Sequence, residues 1–177
     1  RTTGIPESKL IELISSPIRS EHNCEIGYYP SLSGVDIRIS SNKIKYMQTL
    51  QDQLTTMLGK AVFALGDDSI EEIVVKKALE NDISLSIAES CTGGLIGHRI
   101  TQTSGSSKIF KGSVVVYSNS SKVNLLGVSE DCIIKNGAVS EETAKEMADK
   151  VRKMFSSKLG LSITGIAGPD GGSKEKP

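Results

Sequence analysis

The sequence predicts a two-part α/β chain, with a small α+β unit over residues 1–66 and a larger α/β unit over residues 67–177. Two observations lead to this prediction. Two short strand-like runs lie close together before residue 41, as in a hairpin, whereas strand-like and helix-like segments alternate from residue 85 onwards. Such alternation is typical of a parallel sheet covered by helices. The polar turn Gly66-Asp67-Asp68-Ser69 separates the parts, and Ser69 with Glu72 forms a capping box for the next helix.

The first unit is predicted to begin with a short helix that opens at Pro6 and ends at Pro17. Leu10, Ile11 and Ile14 share one face of this helix. The remaining elements are strands over residues 24–29 and 35–40 joined by the loop 30–34, a helix over 43–58 and a strand over 61–65.

The second unit is predicted to begin with a helix whose apolar side carries Ile73, Val74 and Ala78. Its further elements are a strand over 85–88, a helix over 93–101, a Val-rich strand over 113–117 buried on both faces, a short helix over 122–126, a long helix N-capped by Ser140 and a strand over 161–166. The last strand runs into a glycine-rich loop without a covering helix. We therefore expect the natural protein to continue beyond Pro177.

Composition restricts the possible partners and compartments. Lys plus Arg and Asp plus Glu both total 21, so the formal net charge is zero. This balance argues against nucleic acids and membranes as partners, and no apolar run approaches the roughly 20 residues that span a bilayer. Cys24, Cys91 and Cys132 are odd in number and form no CxxC pair. We therefore expect no disulfide framework, no metal site and a cytoplasmic location.

Ser90 is a candidate nucleophile. It lies in Ala88-Glu89-Ser90-Cys91-Thr92-Gly93-Gly94, where a predicted strand meets a predicted helix. Backbone N–H groups are free at such a junction and can hold an oxyanion. Two alternatives stay open: Ser90 can be an ordinary N-cap, and Cys91 can be the nucleophile.

Lys122 is the candidate base, because histidine is scarce. His98 lies well inside the helix that follows Ser90, and His22 belongs to the other unit. A lysine can accept a proton when burial keeps it neutral, and Lys122 follows a strand end at the same predicted sheet edge. The alternative is a solvated surface lysine.

Two loops are candidates for binding an anion. The run Gly165-Ile166-Ala167-Gly168-Pro169-Asp170-Gly171-Gly172 follows a predicted strand, and its backbone can approach a ligand closely. The run Gly105-Ser106-Ser107 can hold a phosphate. Neither matches a Walker or dinucleotide-binding motif, and each can equally be a plain turn or loop.

Four motifs in order resemble the CinA C-terminal domain, the nicotinamide-nucleotide amidase family. They are residues 88–94, Tyr117-Ser118-Asn119 with Lys122, Gly137-Ala138-Val139-Ser140 and residues 165–172. Residues 4–8 and 27–30 resemble the KH-like middle domain of CinA proteins. The resemblance implies a small KH-like α+β domain followed by a three-layer α/β/α domain, truncated at its C-terminus.

The resemblance implies hydrolysis of nicotinamide mononucleotide (NMN) to nicotinate mononucleotide and ammonia by a metal-free, cofactor-free Ser90/Lys122 dyad. It implies a homo-oligomer, a dimer, that binds a pyridine nucleotide. Tyr117 is assigned a supporting catalytic role beside the dyad. The residues assigned to substrate are Cys91, Thr92, Gly93, Ser106, Ser107, Asn119, Thr164, Gly165 and Gly168.

Two departures from the family pattern temper these expectations. The amidase domain of the family continues past Pro177, so we expect this fragment to lack part of the nucleotide site. The family pattern also places a molybdopterin-binding-like domain before the KH-like domain; we expect this fragment to lack that domain, and its pyrophosphatase activity is not assigned. Two other functions stay open: a nucleotide-binding or regulatory module without useful catalysis, and a scaffold between domains.

Overall fold

A computed structural model describes residues 1–18 and 24–168 of the chain. The chain forms two compact units, Arg1–Ile73 and Val74–Pro177. His22 and the second half of the predicted glycine-rich loop, residues 169–172, lie outside the described residues.

The first unit is a small α+β fold around an apolar core. Its elements are α1 (Glu7–Ile18), β1 (Glu25–Ser31), β2 (Gly34–Ser40), α2 (Ile44–Leu58) and a 3₁₀ turn (Gly59–Ala61). Strands β1 and β2 are antiparallel, with Glu25 opposite Ser40. The helices pack on this ribbon because their apolar side chains recur at helical spacing. The core consists of Leu10, Ile14, Val35, Leu50, Leu54 and Leu58.

The first unit differs from the prediction in its hairpin and its last strand. Pro30 pairs with Val35, so the connection shortens to a two-residue turn at residues 32–33. The predicted strand over 61–65 is wrong, because its structure is limited to the end of the 3₁₀ turn and one isolated bridge between Val62 and Thr2. Helix α1 continues to Ile18, one residue beyond the predicted end at Pro17.

The second unit is built on a three-stranded parallel sheet. Its elements are α3 (Ile70–Glu80, which starts in the first unit), β3 (Leu85–Glu89), α4 (Leu95–Thr101), α5 (Ser106–Ile109), β4 (Phe110–Val115), α6 (Asn119–Asn124), α7 (Glu130–Asn136), α8 (Glu141–Met154) and β5 (Leu159–Ile163). The strand order is β4-β3-β5. All five residues of the central strand β3 are buried, which confirms the predicted buried strand over 85–88 and extends it to Glu89.

Helices cover both faces of this sheet, which confirms the predicted three-layer arrangement. Val75 of α3, Ile100 of α4 and Ile109 of α5 pack with β3 on one face. On the other face, a second cluster joins the sheet to the segment from α6 to α8, with Met147 and Val151 fully buried. Among the described helices, none is long and apolar enough to cross a membrane.

Local capping and burial follow the prediction in part. The capping box is confirmed, since Ser69 N–H donates to Glu72 Oε2 at 2.6 Å and Glu72 N–H donates to Ser69 Oγ at 3.2 Å. Val74 was expected on the apolar side of α3, but it is exposed and Val75 is buried instead. The Val-rich strand was expected to be buried on both faces. That prediction is wrong, because β4 is an edge strand and Val115 is 45% exposed.

The three parallel strands end at one edge of the sheet. Glu89 of β3 is paired with Val115 of β4 and Ile163 of β5, so the segments that follow these strands start side by side. Open α/β sheets place their ligands at this carboxyl edge.

Candidate active site

A tight turn after β3 presents Ser90. Its N–H donates to the Ile163 carbonyl at 3.0 Å, and its own carbonyl accepts the N–H of Gly93 at 3.1 Å. Gly93 and Gly94 adopt φ of 60° and 102°, a left-handed backbone that side chains disfavour. The glycine pair therefore allows the chain to turn from the strand into α4 directly behind Ser90.

Lys122 contacts Ser90 from helix α6. The helix begins at Ser118, whose side chain accepts the N–H of Ser121 as an N-cap. From the last turn, Lys122 Nζ lies 2.9 Å from Ser90 Oγ, 3.0 Å from the Val116 carbonyl and 3.0 Å from the Tyr117 carbonyl. Lys122 is only 2% exposed, and Ser90 only 6%. The structure therefore places both predicted dyad residues in one buried contact.

The surroundings of Lys122 favour its neutral form. Burial lowers the pKa of the Lys122 ammonium from its ordinary value, and the neighbouring Cys91 acts against this as a smaller influence. In the described part of the chain, no carboxylate forms an ion pair with Lys122. The two carbonyls can take both N–H bonds of a neutral amine, which leaves its lone pair for the Ser90 hydroxyl.

Backbone donors lie beside Ser90. Within residues 1–18 and 24–168, the N–H groups of Cys91 and Thr92 have no hydrogen-bond acceptor, whereas Gly93 and Gly94 donate within the turn. Thr92 Oγ1 is buried and likewise has no partner among these residues. Free N–H groups next to a nucleophile can stabilise the oxyanion of acyl transfer.

A cavity of about 250 Å³ opens on the dyad. This volume is close to the lower end for small-molecule sites, roughly 300–1,000 Å³. Tyr117 stands at its rim with 70% exposure. The cavity is lined by Ser90, Cys91, Tyr117, Asn119, Lys122, Ala138, Val139, Thr164, Gly165, Ile166, Ala167 and Gly168.

Hydrogen bonds hold one wall of this cavity. Thr164, which follows β5, donates its hydroxyl to the Ala138 carbonyl at 2.8 Å. The neighbouring Gly137 carbonyl accepts from Ser140 Oγ at 2.9 Å and from Thr143 Oγ1 at 2.8 Å. The segment 137–139 is therefore tied to both the strand end and the start of α8.

The predicted substrate residues do not all meet at the cavity. Thr92 and Gly93 belong to the turn but do not line the cavity. Ser106 and Ser107 start α5, which leads into the amino end of β4. They therefore lie near the amino ends of the strands, opposite the carboxyl ends where Ser90 and Lys122 meet. Ser106 is buried there and Ser107 is exposed. The structure gives no support to a phosphate-binding role for these two serines in this site.

The sequence interpretation missed other residues of the site. Ala138, Val139, Ile166 and Ala167 line the cavity, although their motifs had been singled out. Glu89 was not singled out, yet its carboxylate accepts N–H bonds from the beginning of α4. A charged residue at the end of a short strand that is otherwise uncharged was the available signal.

Other parts of the structure offer less for chemistry. A cavity of about 320 Å³ in the first unit has a largely apolar lining, including Ile37, Leu54 and Leu58, and it contains no comparable nucleophile and base. Across the described residues, no three His, Cys, Asp or Glu side chains are grouped as a metal site would need.

Comparison with known proteins agrees with this architecture. The family profile of the CinA C-terminal domain matches residues 67–177, well over half of the chain. The chain belongs to the CinA family. A second profile, the damage-inducible protein CinA KH domain, matches residues 1–64. The small first unit is therefore the KH-like domain of a CinA protein.

Similar CinA proteins come from several bacteria. A CinA-like protein of Kosmotoga olearia is 39% identical, with the match covering 100% of this chain and 44% of the relative. A CinA-like protein of Fervidobacterium nodosum is 40% identical with the same coverage. The chain thus spans less than half the length of these relatives.

Solved structures also resemble this chain. A competence/damage inducible protein from Agrobacterium tumefaciens has a TM-score of 0.56 and 39% identity, over 64% of this chain and 71% of the other. A CinA superfamily protein from Escherichia coli has a TM-score of 0.59 and 26% identity, over 68% and 73% of the two chains.

Proposed function

We propose that this CinA protein hydrolyses the carboxamide of NMN, with Ser90 as nucleophile and Lys122 as general base. The observation that carries the proposal is the buried 2.9 Å contact between Lys122 Nζ and Ser90 Oγ. A serine hydroxyl is a weak nucleophile unless an adjacent base accepts its proton. Lys122 can be that base, because burial favours its neutral form.

In the first step, the neutral Lys122 amine takes the proton of Ser90, and Ser90 Oγ bonds to the carboxamide carbon. The carbonyl π electrons move to oxygen, and the oxyanion accepts N–H bonds from Cys91 and Thr92, which lack acceptors within the described residues. The tetrahedral intermediate then collapses. Its C–N bond breaks, the Lys122 ammonium gives its proton to the leaving nitrogen, and ammonia departs.

The acyl-enzyme is cleared by the reverse use of the same groups. Lys122 takes a proton from water, and the resulting hydroxide attacks the ester carbon. The bond from this carbon to Ser90 Oγ breaks, Lys122 returns the proton to Ser90, and nicotinate mononucleotide leaves. Lys122 thus serves alternately as base and acid, so the chemistry needs no metal ion.

The substrate follows from the resemblance to nicotinamide-nucleotide amidases and is consistent with the cavity. We assign the pyridine carboxamide to the part of the cavity beside Ser90, with Tyr117, Asn119 and Thr164 as flanking groups. Gly165 and Gly168 line the same cavity, and backbone at glycine can approach a nucleotide closely.

Ammonia release from NMN by the full-length protein tests the proposal. Ser90→Ala and Lys122→Ala should each lower the rate by at least about a thousandfold, because nucleophile and base act as one unit. Cys91→Ala is the matched control in the same turn and should keep most of the activity. Loss of activity in Cys91→Ala with retention in Ser90→Ala would move the nucleophile to Cys91. Binding of NMN without ammonia release would instead favour a regulatory module.

A further inference from the structure

Glu89 is a buried carboxylate that the mechanism above does not use. It is the last residue of β3 and has 0% exposure. A carboxylate removed from water needs hydrogen-bond donors or a cation to compensate for lost hydration. Among the residues that the structure describes, no Lys, Arg or His forms an ion pair with Glu89.

Three backbone N–H groups compensate for its charge. Gly94 and Ile96 donate to Glu89 Oε2 at 3.1 and 3.0 Å. Gly97 donates to Oε1 at 2.8 Å. Both carboxylate oxygens therefore accept backbone N–H groups at the beginning of α4, from residues that follow Glu89 by five to eight positions.

These bonds close the turn that carries Ser90. Glu89 covalently precedes Ser90, and its side chain holds Gly94 at the other end of the turn. Between these two points, Ser90 is held by the Gly93 N–H and by its own bond to Ile163. The turn therefore has little freedom to change the position of the Ser90 hydroxyl.

We propose that Glu89 is a positioning residue that orients Ser90 and leaves the Cys91 and Thr92 N–H groups available to the oxyanion. The inference rests on the proposed function and extends it to a residue behind the turn. The Glu89 side chain accepts the N–H groups of Gly94, Ile96 and Gly97, so these three donors are not free to bond to carbonyls of the turn and change its path. Preorganised donors of this kind need no rearrangement as charge develops.

Two substitutions disturb this contact without altering the dyad. Glu89→Gln keeps the size of the side chain but replaces one acceptor oxygen by an NH₂ donor, which faces backbone donors. Gly97→Ala acts from the opposite side. Its Cβ would lie 2.7 Å from Ser113 Oγ and 3.3 Å from Glu89 Oε1, so the Ser113 hydroxyl must shift and the carboxylate must give by a smaller amount.

Ser86→Ala is a matched control on the same strand. Ser86 is fully buried, and its hydroxyl contacts the Val151 carbonyl at 3.1 Å and Ser157 Oγ at 2.6 Å. The substitution Ser86→Ala therefore removes buried polar contacts from β3 at a point away from the turn that carries Ser90. A loss of stability alone should affect Ser86→Ala and Glu89→Gln alike.

The test measures how fast a fluorophosphonate modifies Ser90 in the full-length protein. Ser90 Oγ bonds to phosphorus, fluoride leaves, Lys122 accepts the serine proton and the phosphoryl oxygen takes the oxyanion position. We expect labelling to slow by about 30-fold or more in Glu89→Gln and about 5-fold in Gly97→Ala, against less than twofold in Ser86→Ala. The pH midpoint of labelling should stay unchanged in Glu89→Gln, because Lys122 is untouched.

The outcomes separate this inference from the proposed function. A wild-type protein that labels no faster than Ser90→Ala would refute the nucleophile, and the role of Glu89 would fall with it. Normal wild-type labelling with equal rates in Glu89→Gln and Ser86→Ala would overturn the inference alone. A shifted pH midpoint in Glu89→Gln would also overturn it, since Glu89 would then act through Lys122. If Glu89→Gln does not fold, the Gly97→Ala rate decides in the same way.

Discussion

Lys122 Nζ lies 2.9 Å from Ser90 Oγ, although 32 residues separate them in the sequence. Two carbonyls at the end of the β4 segment, those of Val116 and Tyr117, hold the same nitrogen. The lysine is therefore positioned by the backbone that joins β4 to its own helix, α6, and several measurements can test what this arrangement does.

The hydrolysis rate should fall on acidification. Burial lowers the pKa of Lys122, and only the neutral amine can accept the Ser90 proton. Below that pKa, kcat/KM for NMN should drop about tenfold for each pH unit, and it should level off above it. Cys91→Ala should keep the shape of this profile but shift its midpoint to lower pH, because Cys91 raises the pKa of Lys122 against the effect of burial. A kcat/KM that does not fall on acidification at any pH at which the protein stays folded would contradict a lysine base.

Replacing Lys122 by Met should change how stability depends on pH. The unfolded lysine holds its proton up to about pH 10.4, whereas the folded one loses it at lower pH. Between these two pKa values the unfolded state binds more protons, so the free energy of unfolding of the wild type rises with pH. Lys122→Met lacks this contribution and should gain less over the same interval. Urea unfolding at several pH values measures the difference, and parallel curves would contradict the prediction.

Thr164→Val should weaken substrate binding more than it slows the chemical step. The change keeps the shape but removes the hydroxyl that donates to the Ala138 carbonyl in the cavity wall. A lost hydrogen bond of this kind costs about 1 kcal/mol. We expect KM for NMN to rise about fivefold with kcat within about twofold.

Ser162→Ala is the control for Thr164→Val. Ser162 lies on β5, two residues before Thr164, and likewise donates its hydroxyl to a backbone carbonyl, that of Ala144 in α8 at 2.6 Å, but it does not line the cavity. Equal KM changes in both variants would show that Thr164→Val affects KM through a general loss of stability rather than through the cavity wall.

Ser140→Ala should destabilise the protein by about 1 kcal/mol, the usual effect of removing an N-cap. Its side chain accepts the Thr143 N–H at 3.2 Å and donates to the Gly137 carbonyl at 2.9 Å. Ser129→Ala removes an N-cap with one longer bond, to the Cys132 N–H at 3.3 Å, and should cost less. Urea unfolding of both variants checks the order, which a larger loss at Ser129 would reverse.

Gly160→Ala should strongly destabilise the second unit. A Cβ at this position would lie 2.1 Å from the Ala148 carbonyl oxygen and 2.8 Å from Arg152 Cβ, so β5 must move away from α8. Overpacking of this kind typically costs 1–3 kcal/mol. Gly127→Ala meets no atom within 4 Å and pays only for its φ of 77°, so it is the milder control. Equal thermal stability of the two variants would contradict this account.

The sequence predicted the site where chemistry and strand ends coincide. Ser90 and Thr164 come directly after strands β3 and β5, and Lys122 lies on the helix that follows β4; parallel strands bring such positions to one edge. The contact partners were not predictable in the same way. The bonds from Glu89 to residues 94–97 depend on the path of the turn, and that path follows from two positive φ angles rather than from any periodic pattern.

Errors in the predicted fold have a common physical origin. The segment 61–65 has the composition of a strand, but it forms a single bridge to Thr2. The Val-rich β4 segment was interpreted as fully buried, yet its position at the sheet edge exposes Val115. In both cases the side chains favour a strand, as predicted. Whether a neighbouring strand is present to pair with the segment depends on tertiary structure, which the local sequence does not specify.

The separation of the two sheet edges has a practical use. Ser107 is exposed near the amino end of β4, whereas the dyad lies beyond the carboxyl ends of the strands. With the free thiols of Cys24, Cys91 and Cys132 removed by substitution to alanine, Ser107→Cys therefore offers an attachment point for a dye or a solid support, with the mouth of the cavity left open to solution. Immobilised protein attached there should label at Ser90 as readily as free protein, which would allow the reaction to be followed on a surface.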